Sequence, residues 1–99
     1  MKLRIEEIFW QINRRDGDYR EKTTADVTFP CEIGAIPTFG NGRSCFSIDK
    51  VTAKTITLSV HYENNPSFDE QWTIRLGGKK DYTPWSFDGG YKYKFYVIE

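Results

Sequence analysis

The sequence is poor in the residues that build helices. Three Leu, three Ala and one Met stand against twenty-two Val, Ile and Thr and sixteen aromatics in 99 residues. β-Branched and aromatic side chains suit a pleated surface and lose rotamer freedom on a helix. No window of a dozen residues carries the 3.6-residue period, so a helical bundle is excluded. An excess of charge of one sign is also missing: 14 basic and 14 acidic side chains balance, with the one His neutral. Nucleic-acid binders carry a strongly basic face, so no nucleic-acid partner is expected. Zero net charge gives little electrostatic protection against self-association, and a homodimer remains open.

Long apolar runs are absent as well. Nothing approaches the roughly 18 apolar residues of a membrane span, and no membrane partner is expected. Charges interrupt Met1-Lys2-Leu3-Arg4-Ile5-Glu6-Glu7 before the apolar stretch of about 7–15 residues that an export signal needs. The expectation is a cytoplasmic protein. Its two cysteines, Cys31 and Cys45, should then be reduced and packed as small apolar groups. With the single His61 they are too few for a four-ligand metal site, and no metal or cofactor is expected.

Alternation is abundant. Leu3 and Ile5 share one parity, and Ile8, Trp10 and Ile12 share the other. That change of phase at Glu6-Glu7 predicts a β-bulge in a first strand, or a strand that bends between sheets. Asp16-Gly17 predicts a hairpin turn. A second strand should end near Phe29, because Pro30 has no ladder donor. Residues 31–44 read as a Gly-rich connection whose Ile33, Ile36 and Phe39 pack back over the core. Phe46 and Ile48 mark a short third strand. In the fourth, Ile56, Leu58, Val60 and Tyr62 alternate with Thr55, Thr57, Ser59 and His61. This is a half-buried antiparallel strand with a wet outer face. Trp72, Ile74 and Leu76 mark the fifth. Tyr91 to Ile98 form a last strand, apolar enough on both faces to suit a central position. The reading is a single all-β domain over residues 1–99, an antiparallel β-sandwich or flattened barrel of about six to seven strands. Trp10, Val27, Phe46, Leu58, Trp72 and Phe95 are the expected core.

Chemistry-bearing motifs are sparse. His61 has no nucleophile motif around it, and an exposed strand histidine is the expectation. Adjacent carboxylates such as Glu6-Glu7 and Asp69-Glu70 point to opposite faces of a strand, so neither is a ready-made catalytic pair. No catalytic residue is assigned. Arg14, Arg15, Arg20 and Lys22 read as solvated charges that discourage edge-to-edge aggregation.

The segment 77–90, Gly-Gly-Lys-Lys-Asp-Tyr-Thr-Pro-Trp-Ser-Phe-Asp-Gly-Gly, stands apart. It reads as a long loop, and loops beyond about 12 residues are often functional. Tyr82, Trp85 and Phe87 with Lys80 are the candidate contact residues. They either plug the end of the sandwich or meet a ligand or partner. Trp85 should be the more buried and Tyr82 the more exposed, since a phenol hydroxyl tolerates water. The leading function is a non-catalytic binding or protein-interaction module of unknown partner, able to self-associate through an edge strand. The alternative is a carbohydrate-binding module using this aromatic segment. A third reading is a small enzyme using His61 with a cysteine or carboxylate.

Overall fold

Each alternating run becomes a strand. The computed structural model describes residues 1–37, 43–84 and 87–99. Its strands are β1 (Lys2–Asn13), β2 (Asp18–Pro30), β3 (Gly34–Ala35), β4 (Ser44–Val51), β5 (Thr55–Tyr62), β6 (Glu70–Arg75), β7 (Lys79–Tyr82) and β8 (Gly89–Ile98). They form two four-stranded sheets, β2-β1-β8-β7 (sheet 1) and β3-β4-β5-β6 (sheet 2). Every pairing is antiparallel. The fold is an all-β sandwich without an α-helix among the described residues. The eight strands exceed the expected six to seven. One of the additions, β3, is two residues long. The other, β7, lies inside the segment expected to be a loop.

Turn chemistry behaves as the residues dictate. Gly17 closes the β1–β2 hairpin at φ +73°, a left-handed conformation open to glycine. β8 lies between β1 and β7, the central position expected of it.

The core lies between the sheets. Leu3, Ile5, Phe95 and Val97 from sheet 1 meet Phe46, Ile48, Ile56, Leu58, Val60 and Ile74 from sheet 2. Phe46 sets its ring edge-on against Tyr93 and Phe95 at 4.9 and 5.1 Å, the arrangement that ring quadrupoles favour. Ile36, from the connection after β2, joins this core, while Ile33 stays exposed. Phe39 lies outside the described residues.

Three expected core residues are only half-buried: Trp10, Val27 and Trp72. Val27 and Trp72 sit on edge strands, β2 and β6, which have a neighbour on one side only. Trp10 is on the outer face of sheet 1. The reason lies at the bulge. Glu7 pairs with Ala25 and Ile8 with Thr23, so the extra residue is Thr24 on β2, not a residue of β1. Between β1 and β8 the register is unbroken. β1 therefore keeps one alternation throughout. Its core-facing parity runs Leu3, Ile5, Glu7, Phe9, and Ile8, Trp10 and Ile12 lie on the reverse, where Ile8 is nonetheless buried at 4% exposure, outside the inter-sheet core.

Glu7 is thus a carboxyl facing the core, 1% exposed. Burying it without partners would be costly. The Tyr93 hydroxyl donates to Oε2 at 2.8 Å and the hydroxyl of the bulged Thr24 donates to Oε1 at 2.7 Å. Burial and the neighbouring Glu7 both push the Tyr93 phenol far above its usual range.

Candidate functional site

The four residues singled out from the sequence do not form one site. Tyr82, expected to be the more exposed aromatic, is 2% exposed. It pairs with Tyr93 across β7–β8, so it faces the core. Its hydroxyl donates to the Phe68 carbonyl at 2.9 Å, and burial pushes the phenol up to about 12. Its ring packs within the core cluster, as the plug expectation has it. Lys80 lies two residues earlier with the same parity. Its ammonium stands 5.6 Å from the ring centre of Trp72, which touches Tyr82 and Phe95 at 5.5 and 5.7 Å. Lys80 therefore caps the open side of the sandwich by a cation–π contact, with its charge in water. Trp85 lies outside the described residues. Among the described aromatics of the four, Phe87 is exposed, at 62%.

Phe87 belongs to the far end of sheet 1. The Arg14 guanidinium lies 4.6 Å from its ring centre, donates to its carbonyl at 3.3 Å and pairs with Asp88. The Ile12 amide donates to the Asp88 carbonyl at 2.7 Å. These contacts fasten residues 87–88 to the β1–β2 hairpin. Four more aromatics gather there. Phe9 packs on Tyr91 at 5.3 Å, and Trp10 stacks on Tyr19 at 6.3 Å. Lys92 crosses the Tyr19 ring at 5.7 Å and pairs with Glu21 at 2.8 Å. Its hydrogen bond, and then that of Tyr19, hold the Glu21 carboxyl below the usual range. Phe9 has the core-facing parity yet is 37% exposed, and Tyr19 is 48% exposed.

A second cluster lies on the outer face of sheet 2. An open depression of about 590 Å³ is lined there by Cys45, Ser47, Ser59, His61, Asp69, Gln71 and neighbouring residues. The single 3-10 turn among the described residues, Pro66–Phe68, delivers Asp69 to this face. The Tyr62 amide donates to its Oδ1 at 2.8 Å, and its Oδ2 meets His61 Nδ1 at 2.9 Å. That amide first, and His61 second, hold the Asp69 carboxyl below the usual range. An ionised carboxylate only accepts, so Nδ1 carries a proton. In the neutral ring Nε2 is then the basic nitrogen.

Cys45 stands directly across the β4–β5 ladder from His61. Directly opposed residues on one face have Cβ atoms about 4.5–5.5 Å apart. The expected packing of Cys45 as a small apolar group is not what the fold produces, because Cys45 is exposed. Its position follows from a register shift between Ile48 and Lys50. Below the shift, Lys50 pairs with Thr57; above it, Ile48 pairs with Leu58 and Cys45 with His61. Counting from the turn without that shift would set Cys45 against Tyr62, so this pairing was not visible from the sequence. Beside it, Ser59 and Ser47 hydroxyls and the Gln71 amide all donate to Asp49. They hold its carboxyl low, with Ser59 the largest cause. No group of three or more His, Cys, Asp or Glu among the described residues can hold a metal ion. No helix among them is long and apolar enough to cross a membrane.

No family model, curated protein or solved structure matches this chain.

Proposed function

We propose that this chain is a non-catalytic protein-interaction module whose contact surface is the far end of sheet 1. The observation that carries this is the set of exposed aromatics at one end of a molecule 49 Å long: Phe9 on the core-facing side of sheet 1, Tyr19 on its outer side, and Phe87, covered by Arg14. Tyr, Trp, Phe and Arg are the residues enriched where partners dock. Balanced charge leaves a second copy unrepelled, so self-association is the first partner to test. The cytoplasmic setting expected from the sequence stays part of the proposal. The carbohydrate alternative has lost Tyr82 from its platform and keeps Phe87.

Sedimentation velocity over a concentration series tests the reading. The parent should form a concentration-dependent dimer. The double variant Phe9→Ala, Tyr19→Ala should weaken that dimer at least about tenfold, since two contact aromatics are worth more than about 1.4 kcal/mol. A parent that stays monomeric throughout removes self-association. A dimer indifferent to both changes removes this surface.

A further inference from the structure

We infer that Cys45 is a thiol-modification site, a cysteine primed by His61 and Asp69 for exchange with small, positively charged disulfides. The two cysteines of the chain make a natural contrast. Cys31 is half-buried, and desolvation raises its thiol above the usual range, which keeps it protonated and inert. Cys45 is exposed, lies in a depression and faces an imidazole across the ladder. Asp69 fixes that ring with Nδ1 engaged, leaving Nε2 as the free nitrogen. A thiol, a base and a group that orients the base are the parts that activate a nucleophile.

The exchange step balances simply. His61 Nε2 takes the Cys45 proton, and the Cys45 sulfur attacks one sulfur of the disulfide. A new S–S bond joins Cys45 to that half as the old S–S bond breaks. The other half leaves as a thiolate and receives the proton back from the ring. No external oxidant is needed, because the disulfide is reduced as Cys45 is oxidised.

Charge selects the reagent. The acidic groups around His61 are Asp69 and Glu70 beside it in the lining, with Asp49 bound to the lining residues Ser59 and Gln71. Among the described residues no Lys or Arg lines the depression, and Arg43 and Glu63, joined by a backbone hydrogen bond just beyond the Ser44–Tyr62 pair, add one charge of each sign. A cationic disulfide is drawn in and an anionic one repelled, most strongly at low salt.

Intact-mass kinetics followed by peptide mapping test this on the full chain, with cystamine as the cationic disulfide and oxidised glutathione as the anionic one. Cys45 should be labelled well ahead of Cys31, and cystamine should outpace oxidised glutathione at low salt. Exposure alone would favour Cys45, so His61→Gln is the deciding variant. It should slow labelling of Cys45 about tenfold or more, as loss of a positioned base does. Asp69→Asn should slow it by a smaller factor. The parent rate should fall less steeply than that of His61→Gln between about pH 8 and about pH 6, where only the parent has an imidazole to share the proton. His61 and Asp69 are exposed, and an unchanged circular dichroism spectrum certifies each variant. Equal rates and pH profiles in the parent and His61→Gln would overturn the proposal. A preference for oxidised glutathione would overturn the reagent class.

Discussion

Residues 2–7 and 8–13 of β1 pair with the same two neighbours, β2 and β8, yet the core-facing side is sealed in the first half and open in the second. Core-facing Leu3, Ile5 and Glu7 are at most 1% exposed, whereas Phe9, next on the same face, is 37% exposed. The open half is the more aromatic of the two, so its own hydrophobicity did not decide burial. The opposing layer did. β1 and β2 run for 12 and 13 residues, but β4, β5 and β6 span only 8, 8 and 6. Where the shorter sheet ends, large side chains stay at the surface and become available to a partner.

The strongest way to break that comparison is to truncate one ring in each half. Phe95→Ala, at a fully buried position, should cost about 3–5 kcal/mol. Phe9→Ala should cost about 1 kcal/mol or less, since much of its ring already meets water. Denaturant unfolding of both variants measures the gap. Equal losses would mean that the open half is covered after all.

Glu7 marks the boundary between the halves and offers the next largest effect. Glu7→Leu keeps the volume and strands the buried Tyr93 hydroxyl, while Thr24 keeps the Glu7 backbone carbonyl, at a cost of about 1–3 kcal/mol. A neutral outcome would make the polar network dispensable at this boundary.

Tyr82 sharpens the sealed side further. Tyr82→Phe should cost about 1 kcal/mol near neutral pH by orphaning the Phe68 carbonyl. The raised phenol also has an alkaline consequence. In the unfolded chain it ionises near its ordinary value of about 10, and in the fold only near 12. Its stabilising contribution is complete below the first value and is lost as pH rises through the second. The variant should therefore lose less stability than the parent over that window, as read from melting temperatures.

Smallest are the surface ion pairs, one on each half. Arg4 holds Asp26 low beside the sealed half, and Lys92 holds Glu21 low on the open half. A lowered carboxyl stabilises above its ordinary range, and the effect disappears as pH falls through the lowered value. Asp26→Asn and Glu21→Gln should each flatten the acid limb slightly, and added salt should erase the difference. A steep change from either one would assign it more than a surface role.

Much of the fold was legible because alternation is a local property. Ile56, Leu58 and Val60 against Thr57, Ser59 and His61 announce both a strand and its wet face, and that face is where the depression lies. The class, the Asp16-Gly17 turn, the central place of β8 and the burial of Phe46, Leu58 and Phe95 followed from residues and their near neighbours. The contact residues were less legible. Of the candidate aromatics, Phe87 is exposed, whereas Tyr82 was hidden by a pairing with β8 that Gly-Gly punctuation had masked as a loop.

By itself, then, the sequence determined where the longer strands form and, outside the second half of β1, which side of each is apolar, because side-chain parity needs no partner. Only the tertiary structure decided which positions meet. The extra residue Thr24 placed a hydroxyl on Glu7, and the shift between Ile48 and Lys50 set Cys45 against His61 rather than Tyr62. Register depends on hydrogen bonds between distant segments, and a single bulge advances every pair beyond it by one residue. The unequal reach of the two sheets likewise left Phe9 in water, because burial needs a second layer that no strand carries in its own sequence.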